Sequence, residues 1–546
     1  MTHEFSELLR ALTVAASPVL LFSIIFFRPR TSTTAGRRTA ALGVTLGFAA
    51  FATALLATLV LFIGGPVIWS LPLWGPVSLG VYFDNLSAIL LLLVSFLGAV
   101  VLRFSYHYMD GDIHQQRFTR WLCLTAGSVL CIIISGNLLF FALAWSMTSL
   151  CLHQLLVIYP DRPAALLAAR KKFIISRMGD LCLLGAIILT YHQFHTWDFH
   201  VIFEAAARLH NAGSEAVTGT VSGICLLLAA SALLKSAQFP FHSWLPDTME
   251  TPTPVSALMH AGIINAGGFL IVRLSPLMTL SPGTLHLLVL VGAVTALFAS
   301  LVMLTHASVK RALAFSTVAQ MGFMILQCGL GAFSLAVLHL VAHSLYKAHA
   351  FLASGSIISL SRSSWTPEVH ERKTSFRALC GAVILTVLLG ALGIAFAGFD
   401  TLKNPDTLVL GGIFLMSLCY MTWNLWSQSM DRSNIVKGLG TAAFLGAAYL
   451  ILHQIFRHLL APILPAYSPV NTPWDYAMMA LLLIAFFMIL IFQSRIPLWV
   501  NGRMFRALYV HSRNGFYFNT LANRITTTLW PIPQTRQGPR PGKSHP

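Results

Sequence analysis

The sequence predicts an all-α polytopic membrane protein of about fifteen transmembrane helices, and three observations carry that expectation. The chain has 546 residues, 56% of them hydrophobic and only 10% charged. A soluble domain carries roughly 25% charged residues. Apolar stretches of about 20 residues recur from end to end, the length needed to cross a hydrocarbon layer about 30 Å thick. The cations between those stretches fall mainly on alternate connections, the asymmetry that orients a bundle in a bilayer.

In chain order the spans lie near 8–27, 40–64, 84–104, 119–135, 137–158, 172–193, 219–245, 254–273, 284–304, 308–329, 332–359, 376–399, 407–427, 436–459 and 474–494. The first has neither a basic leader nor a small-residue cleavage site, so no cleavable signal peptide is expected. With the N-terminus outside, the inner connections collect Arg28 to Arg38, Arg162 to Lys172, Lys310 with Arg311, and the cations after 495. The outer side keeps only Arg10, Arg208, Arg273, Lys403 and Arg457. This distribution predicts N-out, C-in. It also explains the formal net charge of +17 as topology rather than nucleic-acid binding.

The eight cysteines are scattered singly, with no CxxC or Cys/His cluster, which argues against a disulfide framework, an iron–sulfur cluster or a zinc site. The long connection near 193–218 carries "TWDFHVIFEAAARLH", readable as a short amphipathic surface helix. After the last span, "MFRALYVHSRNGFYFNTLANRI" is aromatic and basic, either an interfacial helix or a docking surface. The closing "WPIPQTRQGPRPGKSHP" reads as disordered.

The chemistry concentrates where charge enters apolar spans. Lys235 ends the run "GICLLLAASALL" and is followed closely by Pro240 and Pro246. A bare ammonium at membrane depth is costly and marks an ion path, and broken helices there are tolerated only where they line a cavity or are buried in protein. The alternative, a lysine snorkelling to an interface, fits the break less well. Lys235 is therefore the leading proton-relay candidate. In "LHLVAHSLYKAHAFL", His339, His343 and Lys347 stand at i, i+4 and i+8 on one helix face, and His349 falls off it. Imidazoles that titrate near neutrality suit proton transfer. His260, in the span after the break, is the candidate bridge. Lys310 and Arg311 read as interface anchors. Arg177 and Asp180 at i, i+3 are either a structural ion pair or a carboxylate that tunes Lys235. Asp247 and Glu250, at the end of the break, are either a proton uptake point or helix-capping loop residues.

"KSAQFPFHSWLPDTMETPTPVSALMHAG", "KRALAFSTVAQMGFM" and "VAHSLYKAHAFL" resemble the antiporter-like membrane subunits shared by respiratory complex I and Mrp-type sodium/proton antiporters. "YFDNLSAILLLLVSFLGAVVLRFSYHYMDGD" and "SRMGDLCLL" are similar to the large L-type subunit. The resemblance covers roughly residues 80–360. It implies two inverted five-helix repeats, each with one broken helix, at 119–273 and 284–427. Spans 1–118 precede them, 436–494 follow, and 495–546 form a cytoplasmic tail. Residue by residue it assigns Lys235 as the broken-helix lysine, His339, His343 and Lys347 as the second-repeat stripe, and Arg177 with Asp180 as a first-repeat charged pair. Two departures stand out. Ser146 in "FALAWSMTSLCLHQLL" occupies the place of the glutamate that partners the lysine, which leaves Asp180 or His153 as substitutes. The second break reads "AGFDTLKNPDTL", so Asp400 and Lys403 occupy that neighbourhood in an unusual register.

Complex I subunits of this type end in a long lateral helix and a further span, for which about fifty residues are too few at about 1.5 Å each. The tail instead looks like the membrane subunits of two-component DAB inorganic-carbon accumulation systems. That resemblance implies a cytoplasmic partner that is carbonic-anhydrase-like and holds zinc, with no cofactor in this chain. It implies docking through Tyr509, His511, Asn514, Phe516 and Tyr517. The function expected is passage of protons, or sodium ions, down their gradient to drive bicarbonate accumulation. The alternatives are an antiporter-like subunit of a quinone oxidoreductase or Mrp antiporter, and a non-conducting anchor.

Overall fold

The computed structural model describes residues 2–27, 33–75, 77–213, 217–306, 308–355, 376–397, 405–428, 431–465, 472–499 and 502–531. Asp400, Lys403 and the Pro-, Gly- and Arg-rich end lie outside the described residues. Among the described residues, fourteen helices are long and apolar enough to cross a membrane, from Glu4–Phe26 to Pro473–Phe492, and the apolar helix Gly219–Lys235 is shorter. The chain is a multi-pass, helical membrane bundle. Together these make the expected set of apolar segments, one of them cut short by a break.

The first two helices, α1 (Thr2–Phe22) and α2 (Thr33–Gly64), lead into an element that the hydropathy reading passed over. Strands β1 (Val67–Trp74) and β2 (Val77–Phe83) form an antiparallel hairpin, pairing Val67 with Phe83 and Trp69 with Val81. β-branched and aromatic residues favour the pleat, and Gly75, at φ +54, supplies the left-handed turn. The hairpin seats later helices. Asn137 Nδ2 donates to Ser78 O at 2.6 Å, while Asn137 Oδ1 caps α5 (Leu138–Leu156) by accepting from Phe140 N at 2.6 Å. A Cβ on Gly136 would stand 2.6 Å from the Gly80 carbonyl carbon, so only glycine fits that crossing.

Asp84 caps α3 (Asn85–Tyr108) by accepting from Ser87 N at 2.9 Å. It also takes a bidentate pair from Arg273, at 2.6 and 3.1 Å, both side chains being almost fully enclosed. Next come α4 (Gln115–Ile134), α6 (Pro163–Phe194) and α7 (Phe199–Ala212). The amphipathic pattern expected in the long connection is α7, which turns Phe199, Ile202 and Ala206 inward at helical spacing.

α8 (Gly219–Lys235) stops at the lysine. The short turn α9 (Trp244–Asp247) follows, so Pro246 sits inside a helical turn and the break itself lies at 236–240. The span expected as continuous over 254–273 is two pieces, α10 (Thr253–Ala261) and α11 (Ala266–Arg273), joined by a 3-10 turn at Ile263–Asn265 after Gly262. Its whole apolar window is buried, which places it at the centre of the bundle. After the turn α12 (Ser275–Met278), α13 (Pro282–Met303) and α14 (Val309–Gly329) approach closely through Gly292, Gly322 and Gly329, where a Cβ would meet backbone at 2.5–2.6 Å. Small residues let helices pack tightly where lipid supplies no hydrophobic drive. α15 (Phe333–Leu352) carries the histidine stripe. Four further long helices follow, α16 (Phe376–Ala397), α17 (Pro405–Gln428), α18 (Arg432–Leu460) and α19 (Pro473–Trp499). The tail folds as a helical pair, α20 (Arg503–Arg513) and α21 (Phe518–Leu529), joined by the left-handed residues Phe516 and Tyr517.

Candidate functional site

The break after α8 is satisfied from within the protein. Ser236 N donates to Ala232 O at 2.9 Å and Gln238 N to Leu233 O at 3.2 Å, with Ala237 left-handed between them. Ser236 Oγ donates to Ile264 O at 3.0 Å, which ties the break of α8 to the break between α10 and α11. Irregular backbone at this depth survives where freed groups find such partners. At the lip, Lys235 is 6% exposed. Its Nζ donates to Trp145 O at 3.1 Å and lies 4.4 Å from the centre of the Trp145 indole. Neither Asp180 nor His153 is its direct partner. Asp180 is held by Arg177 at 2.7 Å, and Ser146 is half-buried one residue past the carbonyl that Lys235 uses. The ammonium thus rests on a carbonyl and an aromatic face, with no carboxylate within 4 Å among the described residues.

Two lysines that the charge count treats as inner-surface anchors are also buried, Lys171 and Lys172 at 2% exposure each. They leave α6 in different directions. Lys171 Nζ donates to Asp247 Oδ2 and to Asn519 Oδ1, both at 2.6 Å, and Asn519 Nδ2 closes the triangle onto Asp247 Oδ1 at 3.0 Å. Lys172 Nζ donates to Ser149 O at 2.6 Å and to Ser149 Oγ at 2.9 Å. Trp145, Ser149 and His153 occupy successive turns of one face of α5. A signal for Lys172 was present in the sequence. Ala165, Ala168, Ala169, Lys172, Ser176 and Gly179 form a buried stripe of small residues interrupted by one lysine.

The second cluster forms as the i, i+4, i+8 spacing predicts. The rings of His339 and His343 are 6.0 Å apart. Lys347, fully buried, donates to Leu313 O at 3.1 Å. His260, also fully buried, stacks on Phe351 at 4.4 Å. His349 is exposed. A residue the sequence reading passed over, Gln327, hydrogen-bonds His339 Nδ1 through Oε1 at 2.9 Å. The two clusters are linked through the break between α10 and α11. Asn265 Nδ2 donates to Ser344 Oγ at 2.8 Å, and Ser344 directly follows His343. Both ring nitrogens of His260, His343 Nε2, Ser231 Oγ, Ser256 Oγ and Asn265 Oδ1 are buried without a hydrogen-bond partner among the described residues. Enclosed polar atoms of this kind are where ordered water is held.

The tail lies against the same end of the bundle as Asp247. Phe518 meets Phe239 with ring centres 4.8 Å apart, and Phe516 meets Phe298 at 5.8 Å. Arg170 donates to Trp530 O at 3.0 Å and Pro531 O at 2.7 Å, with its guanidinium 5.0 Å from the Trp530 ring centre. Burial, then the charges of Arg311 and of Arg513 in the tail, hold the His306 imidazole of the α13–α14 connection below its ordinary pKa. Of the five residues expected to dock a partner, Tyr509, His511, Asn514 and Tyr517 are exposed. Phe516 packs inward, and Asn514 closes the turn by donating to Val510 O at 2.8 Å. Glu250 is exposed and its carbonyl accepts from Arg162 at 3.3 Å. Lys310 donates to Thr253 Oγ1 at 3.2 Å and Arg311 is exposed.

Residues 135–399 match the family described as NADH:quinone oxidoreductase/Mrp antiporter, transmembrane, and residues 75–119 match the N-terminus of complex I chain 5. The chain is 38% identical over 542 residues to a Halothiobacillus neapolitanus protein named "Probable inorganic carbon transporter subunit DabB2", an alignment that spans 97% of this chain and 96% of that one. It is 36% identical over 465 residues to the Hydrogenovibrio crunogenus protein named "Probable inorganic carbon transporter subunit DabB", covering 82% of this chain and 83% of that one. Among solved structures, the Mrp complex from a Dietzia species superposes with a TM-score of 0.59 at 21% identity, over 98% of this chain and 61% of the Mrp chain. At that identity the likeness speaks to the fold alone.

Proposed function

Since the chain belongs to the antiporter-like membrane-subunit family of NADH:quinone oxidoreductases and Mrp antiporters, and to its inorganic carbon transporter branch, we propose that it is the membrane subunit of an energy-coupled inorganic carbon accumulation complex. Protons move down their gradient through Lys235, His260 and the stripe His339, His343 and Lys347. That movement drives CO2 hydration to bicarbonate in a cytoplasmic, zinc-holding, carbonic-anhydrase-like partner docked on the tail. The complex sits in the bacterial inner membrane with this chain's C-terminus inside.

The observation that carries the proposal is the conjunction of full-length likeness to carbon transporter subunits with a buried ammonium at a helix break. A buried ammonium inside a membrane bundle with no carboxylate partner marks an ion path by default. The path supports this. Lys235 and Ser236 connect through Ile264 and Asn265 to Ser344, and the partnerless imidazole nitrogens between the clusters suit water-assisted transfer. Arg177 with Asp180 sets the local field at Lys235, and Asp247 marks the cytoplasmic mouth of the path.

The test is expression with its genomic neighbours in a carbonic-anhydrase-deficient bacterium grown in ordinary air. Rescue is expected from the wild type, and is expected to disappear with Lys235→Ala or an uncoupler. A sodium ionophore in place of the uncoupler assigns the coupling ion. Rescue that survives Lys235→Ala overturns the ion path and leaves an anchor. No rescue despite good expression returns the chain to the oxidoreductase and antiporter side of its family.

A further inference from the structure

We infer that Lys172 is a second proton-carrying lysine, placed between the tail end of the bundle and Lys235; the inference rests on the proton-path reading above. Lys172 is 2% exposed and has no carboxylate within 4 Å among the described residues; it donates to Ser149 O and Ser149 Oγ. A buried ammonium held only by neutral oxygens is poorly compensated for leaving water, so packing alone does not favour a lysine here. The surrounding stripe is Ala, Ser and Gly, any of which would close the helix contact without charge.

Its position relative to Lys235 gives the burial a purpose. Lys235 bonds the carbonyl of Trp145 and Lys172 bonds that of Ser149, one turn apart and about 6 Å along the axis of α5. The two amines, one from α6 and one from α8, therefore meet α5 one turn apart. The next turn of α5 carries His153, whose ring lies 5.3 Å from Phe173 and whose Nδ1 is buried without a partner among the described residues. Imidazole, amine and amine thus follow one helix face from the tail end inward. Arg177 engages Asp180 at 2.7 Å, and neither Lys172 nor Lys235 has a carboxylate within 4 Å among the described residues. Charging both lysines together is electrostatically unfavourable, so the arrangement favours one proton shared between two amines. Ser146, with no carboxylate to pin either lysine, leaves that proton free to move.

The step balances simply. An N–H bond of the Lys235 ammonium breaks as one forms at the neutral amine of Lys172, directly or through the Ser149 hydroxyl and water. Lys172 then gives up its proton on the His153 side, toward the tail end. No electrons are exchanged.

The experiment compares Lys172→Arg and Lys172→Gln with wild type and Lys235→Ala in the complete complex, scoring membrane abundance, partner co-purification and uncoupler-sensitive bicarbonate accumulation. Arginine keeps the charge and the bonds to Ser149 but does not release a proton. The expected result is normal assembly with accumulation reduced at least about tenfold in both Lys172 variants, at the low end of what removal of a proton-transfer group costs. A structural pin would instead be rescued by arginine, so wild-type accumulation in Lys172→Arg overturns the inference. If that variant fails to assemble, Lys172→Gln decides by the same criterion. If Lys235→Ala also accumulates normally, it is the proton-path reading that fails, a distinguishable outcome.

Discussion

Individual residues here are legible when their spacing is regular and hidden when their partners are distant in sequence. His339, His343 and Lys347 follow from helical periodicity, and the bundle places them as that periodicity requires. Asp84 and Arg273 show the opposite case. They are 189 positions apart, and nothing local marks them as a pair, yet they form a bidentate contact with almost no exposure. Because the carboxylate also caps α3, Asp84→Asn leaves Arg273 uncompensated in a buried site. We expect a loss of about 3–5 kcal/mol, the range for breaking a buried pair, read as a lowered melting temperature of the purified protein. Asp84→Asn with Arg273→Met should recover part of it, because the orphaned charge is gone.

At the scale of elements, the break at Lys235 was visible as a lysine beside prolines, but its position was not. The helix ends at the lysine, and the later Pro246 lies within a helical turn. The second interruption, at Gly262, leaves little trace in the sequence because a single glycine in an apolar run is a weak local signal, and the break is stabilised by contacts with Ser236 and Ser344. The tail is legible in the sequence as an aromatic, basic segment, an interfacial helix or docking surface, while the face it covers is not. Asn519 bridges Lys171 and Asp247, and Arg170 holds the Trp530 and Pro531 carbonyls. Asn519→Ala removes two hydrogen bonds to charged groups, worth about 1.5–3 kcal/mol each. Hydrogen–deuterium exchange across 503–531 should accelerate at least about tenfold, with the spans unchanged. Unchanged exchange would mean that the aromatic contacts of Phe516 and Phe518 hold the tail by themselves.

For the molecule as a whole, the charge asymmetry predicts orientation and the fold sets what lies at each end. Asp247, the tail and the α13–α14 connection share one end, and the β1–β2 hairpin and α7 share the other. If the cations set topology, a fluorescent reporter fused after Trp530 should be active in cells, while an exported phosphatase inserted at Gly213 should be active only outside. The reverse pattern would invert the proposed direction of proton flow.

Composition, span length and helical spacing were enough to establish a polytopic helical bundle, its apolar segments, the lysine at the break and the histidine stripe. Each of these is a property of neighbouring residues in a low-dielectric solvent, where backbone hydrogen bonds must close locally. The burial of Lys171 and Lys172, the indole and carbonyl that receive Lys235, the Asn265 link between the clusters and the docking of the tail required the packed structure. Those features depend on which helix faces meet, and contacts such as Lys171 with Asn519, 348 positions apart, are set by tertiary packing that no local pattern encodes.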